Sequence, residues 1–383
     1  MIIEYTNGRF LSDAGWDDQI VVQTERDRIT YVGDANRAPH PNKKVDLNGD
    51  FVAPGLFDIQ VNGGGGVQFN EHPTVEALIE ISAAHRRLGT TSILPTLISD
   101  QLSVVERGIS AVRSAIERKV PGIAGIHIEG PCLDVEKRGI HDAKHIRQLD
   151  AQCVELFSSL GPGRTLVTIS PNSGPFEAID RLANSGIVVA LGHSDASFET
   201  VEQAASAGAT GMTHLFNAMS QMTSRAPGMV GFALSNREIW TSVIVDGVHV
   251  HPALLRLTHA SRPPEKIILV SDSMANIGTD VSAFQLQGQA ITVEHNKLIN
   301  SSGTLAGASL TLLQAAKNAV NMMSVETADA LKMASEYPAT FMGLQKTIGR
   351  ISKGNRADFV RFSAADLRFV STAASGTWSQ SDR

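Results

Sequence analysis

The stretch "IVVALGHSDASFETVEQAASAGATGMTHLFNA", residues 187–218, reads as a strand, a helix and a second strand. "IVVALGHS" (187–194) is an apolar run that ends in polar residues. "FETVEQAASAG" (198–208) then carries a helical pattern, and "GMTHLFNA" (211–218) opens the next run. A strand that is apolar on both faces belongs to a parallel sheet covered by helices. The same rhythm runs through "FVAPGLFDIQVN" (51–62), "TSILPT" (91–96), "GIAGIHIEG" (122–130), "LVTISP" (166–171), "WTSVIVDGVHV" (240–250) and "KIILVSDSM" (266–274). Amphipathic stretches such as "VEALIEISAAHRRLG" and "LSVVERGISAVRSAIERK" lie between them. Eight strand–helix units point to an α/β chain folded as a (β/α)8 TIM-like barrel, a fold of about 250 residues. A doubly wound open sheet is the alternative. No Gly-x-Gly-x-x-Gly follows the first strand, which weakens any dinucleotide reading.

The chain ends differ from the middle. "MIIEYTNGRF", "QIVVQTERDRITYVG" and, at the other end, "TIGRISKGNRADFVRFSAADLRFVST" alternate like antiparallel strands. We expect residues 1–53 and 345–383 to build one small β-sandwich, with the barrel, 54–344, inserted between its strands.

The 383-residue chain is 42% hydrophobic and 19% charged, the composition of an ordinary globular protein. Its net charge of -6 and lack of a basic run argue against nucleic-acid binding. No stretch has the length or apolarity of a membrane span or a secretory leader, and two cysteines, Cys132 and Cys153, suit a reducing compartment, so the expected setting is the cytoplasm.

A barrel places reactive groups at the C-terminal ends of its strands. Here those ends carry Gln60 and Asn62, His127 and Glu129, His193, His214, and Asp272. Each has an ordinary explanation taken singly: a buried structural histidine, or a carboxylate capping a loop. Converging on one mouth, they read as a site. Glu129, His193 and His214 offer one carboxylate and two imidazoles, a set that holds a catalytic zinc or iron while leaving a position open for water. Gln60 and Asn62 precede four glycines (63–66), where many metal hydrolases carry His-x-His. Carboxamides are poor ligands for a transition metal.

Together "HIEGP" (127–131), "GHSDA" (192–196), "THLFNAM" (213–219), "DGVHV" (246–250), "SDS" (271–273) and "TLAG" (304–307) resemble the motif series of the N-acetylglucosamine-6-phosphate deacetylases, within the amidohydrolase superfamily. The resemblance covers nearly the whole chain. It implies metal-dependent removal of the acetyl group from N-acetylglucosamine 6-phosphate, with the galactosamine epimer as alternative. It implies one divalent metal on Glu129, His193 and His214, zinc first, with iron, cobalt or manganese also served by such a set, and a vacant second position at Gln60 and Asn62. Asp272 becomes the general base and acid. His141, in "KRGIHDAKH" beside Ile140, matches the histidine that polarises the acetyl oxygen. Arg225, His249 and the backbone at Asn217 and Ala218 would hold the phosphate, and Leu305, Ala306 and Gly307 would close over the sugar. The arginine and histidine can come from a neighbouring subunit, which implies a homodimer; neither nucleic acid nor membrane is an expected partner. The chain departs from the family at Cys132, where an apolar or aromatic residue is commoner, and in "SDSMANIG". Another amidohydrolase activity would call for a bridging lysine, which no strand end supplies. An inactive scaffold sits badly with an intact Glu129, His193, His214 and Asp272.

Overall fold

The computed structural model describes residues 1–366 and 368–378. Eight parallel strands form one sheet in sequential order: Leu56–Val61, Thr90–Ile98, Gly125–Glu129, Arg164–Ile169, Val188–Leu191, Gly211–Met212, Trp240–Ile244 and Ile267–Val270. A parallel bridge between Val61 and Ser273 links the first strand to the end of the eighth and closes the barrel. A helix follows each strand, from Val75–Arg87 after the first to Leu312–Met322 after the eighth. Thr74, Asp150, Ser197 and Thr311 cap four of these helices through side-chain oxygens, each cap contributing about 1 kcal/mol. The strands are largely apolar because the barrel interior and the helices bury both faces, and one continuous core joins Phe57, Leu94, Ile126, Val167, Leu191, Val243 and Leu269 to the helix residues.

Both chain ends enter a pair of β-sheets beside the barrel. Ile2–Thr6, Val21–Glu25, Arg28–Gly33 and Lys43–Asp46 form one; Arg9–Ser12, Gly15–Asp17, Phe51–Pro54, Phe359–Phe362, Phe369–Ala374 and Thr377–Trp378 form the other. Phe51–Pro54 pairs antiparallel with Phe359–Phe362, so the first and last thirds of the chain meet in one ladder. Tyr5, Phe10, Val22, Ile29, Val52 and Phe359 fill the core between the sheets. The apolar run 51–62 therefore divides at Gly55: its first part belongs to the sandwich, its second to the barrel.

One element was not anticipated from sequence. Between the eighth strand and its helix, Ala283–Leu286, Gln289–Glu294, Lys297–Asn300 and Leu305–Ala308 form an antiparallel sheet over the barrel mouth. Leu286, Ile291, Leu298 and Ala306 pack with Ile98 and Met274 beneath it. Two tight turns drive it, at Gln287–Gly288 and His295–Asn296, all four residues having positive φ. Such pairs match the twist of a two-residue hairpin. Among the described residues no helix is long and apolar enough to cross a membrane.

Candidate active site

Glu129 is the last residue of the third strand, while His193, His214 and Asp272 lie just past the fifth, sixth and eighth. The last three take left-handed backbone, with φ of 49°, 32° and 50°. That conformation costs a non-glycine residue roughly 1–3 kcal/mol, so the surroundings must impose it. The Asp134 N–H donates to the His193 carbonyl at 3.0 Å, the His214 N–H to Ser242 Oγ at 2.8 Å, and the Ala308 N–H to the Asp272 carbonyl at 2.8 Å.

Glu129 Oε1 lies 3.2 Å from His193 Nε2 and 3.0 Å from His214 Nε2, and the two ring nitrogens are 3.0 Å apart. His193 Nδ1 sits 2.9 Å from the Lys137 carbonyl. A carbonyl only accepts, so Nδ1 donates to it, which leaves Nε2 as the ring atom that faces the cluster. Two imidazole nitrogens and a carboxylate oxygen thus converge within the protein interior. Ligands at metal bonds of about 2.0–2.2 Å around a tetrahedral ion stand roughly 3.3–3.6 Å apart, and the atoms here lie a few tenths of an ångström inside that spacing. The three residues fit a single divalent ion, and they are the one such His/Glu group among the described residues. Burial opposes the charge on Glu129, but the two histidines outweigh it and hold the carboxyl well below its ordinary range.

The carboxamides turn their N–H groups inward. Gln60 Nε2 donates to Glu129 Oε1 at 3.0 Å, and Asn62 Nδ2 donates to Asp272 Oδ1 at 2.7 Å. Each therefore steadies one acid of the site. The glycines that follow permit close packing: a Cβ on Gly63 would stand 2.5 Å from the Val67 carbonyl oxygen and 2.8 Å from the Ala275 nitrogen. Burial first, then the Glu129 carboxylate, push Asp272 up to about 7.

His141 is fully buried, and the Ser99 N–H donates to its Nδ1 at 3.1 Å. An N–H cannot accept, so the proton of the neutral ring is on Nε2, available as a donor. Burial, then His193, push His141 down to about 3 and keep it neutral. His249 is the opposite case. Burial works against its charge, but the Asp246 carboxylate, 2.6 Å from Nδ1, outweighs it and holds the imidazole above its ordinary value.

These groups face one cavity of about 350 Å³, lined by Asn62, Glu129, Ile140, His141, His193, His214, Asn217, Ala218, His249, Asp272, Leu305 and Gly307 among others. Three expectations fall outside it. Ala306 turns into the core of the covering sheet. Gln60 acts from behind Glu129. Arg225 is exposed and lines no part of the cavity. His127 also stays apart, bonded through Nε2 to Thr168 Oγ1 at 2.8 Å inside the barrel. Sequence reasoning passed over Ser99, which fixes the His141 tautomer, and Lys137, whose carbonyl fixes that of His193. A backbone carbonyl or N–H leaves no trace in residue type; Ser99 at the end of the second strand was the one available signal.

The amidohydrolase family model matches residues 51–378. The N-acetylgalactosamine-6-phosphate deacetylase of Shewanella sp. (strain ANA-3) is 41% identical over 82% of this chain and 79% of its own length. The N-acetylglucosamine-6-phosphate deacetylase of Haemophilus influenzae is 32% identical over 88% of this chain and 89% of its own. The crystal structure of the N-acetylglucosamine-6-phosphate deacetylase from Pasteurella multocida superposes with a TM-score of 0.94 at 31% identity, covering 99% of this chain and all of that one.

Proposed function

Because the chain belongs to the amidohydrolase family, we propose that it hydrolyses the N-acetyl group of N-acetyl-D-glucosamine 6-phosphate, giving D-glucosamine 6-phosphate and acetate. The observation that carries this reading is the convergence on one cavity of the Glu129, His193 and His214 donor atoms, the raised Asp272 and the neutral His141. A divalent metal held by Glu129, His193 and His214, zinc first, would supply Lewis acidity and lower the pKa of water. Asp272, anchored through Oδ1 by Asn62, takes the proton of the attacking water and passes it to the departing sugar nitrogen. His141 offers its Nε2–H to the acetyl oxygen as negative charge builds there. Cationic His249 and the backbone around Asn217 and Ala218 receive the phosphate.

Arg225 completes the phosphate site from a second copy of the chain: within one chain it is exposed and away from the cavity, so a homodimer is the assembly that brings it in. Two free, buried thiols suit the cytoplasm. The epimeric N-acetylgalactosamine 6-phosphate is the second reading, favoured by the 41% identity to the Shewanella enzyme. The deciding experiment is acetate release from both epimers by one preparation whose metal content is measured. Faster turnover of the galactosamine epimer would overturn the first reading, and no release from either would overturn both.

A further inference from the structure

Asp134 lies in the loop after the third strand and takes no part in the cavity, yet its carboxylate gathers three neighbouring strand ends. Oδ1 accepts from Ser170 Oγ at 2.6 Å; Oδ2 accepts from Asn172 Nδ2, Ser194 Oγ and the Asp195 N–H, each at 2.8 Å. Ser170 and Asn172 follow the fourth strand, and Ser194 and Asp195 follow the fifth. Ser170 and Ser194 are buried, and their hydroxyl oxygens lie 2.8 Å apart, both turned to Asp134. The Asp134 N–H donates to the His193 carbonyl at 3.0 Å, so backbone and side chain together hold the three residues that begin with that histidine, whose φ is positive. Three residues on, Lys137 presents the carbonyl that accepts the hydrogen bond of His193 Nδ1–H, and the Lys137 N–H donates to the Asp134 carbonyl at 3.0 Å. The grip reaches the sixth strand as well, because the Ser194 N–H donates to the Ala218 carbonyl at 3.1 Å.

We propose that Asp134 is a positioning residue that fixes the backbone turn at His193, and so the direction of its Nε2 toward the metal. The inference rests on reading Glu129, His193 and His214 as metal ligands. Charge matters to it: four donors converge on one carboxylate, and charge-assisted bonds are roughly twice as strong as neutral ones. An amide in its place must set an NH2 against donors. Groups that orient a ligating histidine are typically worth about 10–100-fold in metal affinity.

The test is the dissociation constant for zinc, by chelator competition on metal-stripped full-length protein, with the visible spectrum of the cobalt form beside it. Asp134→Asn and Asp134→Ala should weaken zinc by about 10–100-fold and alter the cobalt bands, with kcat largely restored in excess metal. Ser170→Ala, a gentler change, should move affinity the same way by less and keeps the test open if Asp134→Ala does not fold. Asp195→Ala removes a nearby carboxylate and its exposed ion pair with Lys137 Nζ, but keeps the Asp195 N–H and the Lys137 carbonyl, and should leave zinc affinity close to the parent's. Unchanged zinc affinity and cobalt bands in Asp134→Asn, with only the melting temperature of the stripped protein lowered, would make Asp134 a loop staple and overturn the inference. A parent protein that binds no zinc would instead sink the metal reading itself.

Discussion

Asp58, on the first barrel strand, gives a prediction whose size follows from its surroundings. It is fully buried, and its bonds come from the Gln60 and Ser271 N–H groups, at 3.2 and 3.3 Å, and from the Ser271 hydroxyl. No cation pairs with it among the described residues, and Oδ2 has no partner. Burial outweighs those three donors and pushes its pKa up to about 7. An unfolded aspartate titrates near 3.9. The folded state therefore keeps a proton that the unfolded chain releases as pH rises from about 4 to about 7. Over that window the unfolding free energy contributed by Asp58 falls by about 1.4 kcal/mol per pH unit, to a total near 4 kcal/mol. Asparagine has the shape of the neutral acid and cannot ionise, and its NH2 group at the Oδ2 position leaves the same orphan as the acid's O–H. Asp58→Asn should match the parent near pH 4 and become progressively more stable up to pH 8. Urea unfolding of both proteins at fixed metal, read as a difference so that other titrations cancel, measures this. A difference that stays flat between pH 5 and 8, or a variant less stable than the parent at pH 8, would refute the claim that Asp58 is buried and neutral.

Purified protein should hold close to one tightly bound transition metal per chain by elemental analysis; two equivalents surviving dialysis at full activity would contradict the single-ion reading of Gln60 and Asn62. Asp272→Asn should retain the metal and a near-normal KM while kcat falls by about 10²–10⁴-fold, the usual worth of a positioned acid–base group. Parallel loss of metal and rate, both restored by excess metal, would make Asp272 a ligand instead. Mixing Asp272→Asn chains with Arg225→Ala chains should recover activity that neither parent shows, and its absence in demonstrably mixed dimers would place the phosphate site within one chain.

The barrel was legible because a sheet buried on both faces forces largely apolar strands: six of the eight runs quoted from the sequence contain the observed strand, and the runs 91–96 and 166–171 overlap strands that begin one or two residues earlier. The candidate metal cluster was legible for a related reason. Polar residues that end such runs have one mouth to face, so Glu129, His193 and His214 converge once the barrel closes. The sheet over the mouth escaped notice because its strands are only four to six residues long and half exposed. Their alternation is short, and the Gln-Gly and His-Asn turns that fix it are weaker signals than Asn-Gly. Asp134 escaped for another reason: its side-chain partners come from the loops after the fourth and fifth strands and reach its own loop only after folding.

The amide pair on the first strand shows how far residue type alone carries an argument. Carboxamide oxygens are poor metal ligands, which is the ground for proposing a single ion but assigns Gln60 and Asn62 nothing to do. The structure adds direction: both present N–H groups, one to Glu129 and one to Asp272. A neutral donor lowers the cost of keeping a buried carboxylate charged without competing for it as a second cation would. Asn62 holds Oδ1 of Asp272, and the proposed proton transfer would use the other oxygen. Histidines at these two positions would trade those donors for lone pairs facing the carboxylates, unless a second ion entered to bridge them. A Gln60→His, Asn62→His protein is therefore expected to take up a second metal and to lose the support on Asp272 together, so added metal need bring no gain in rate.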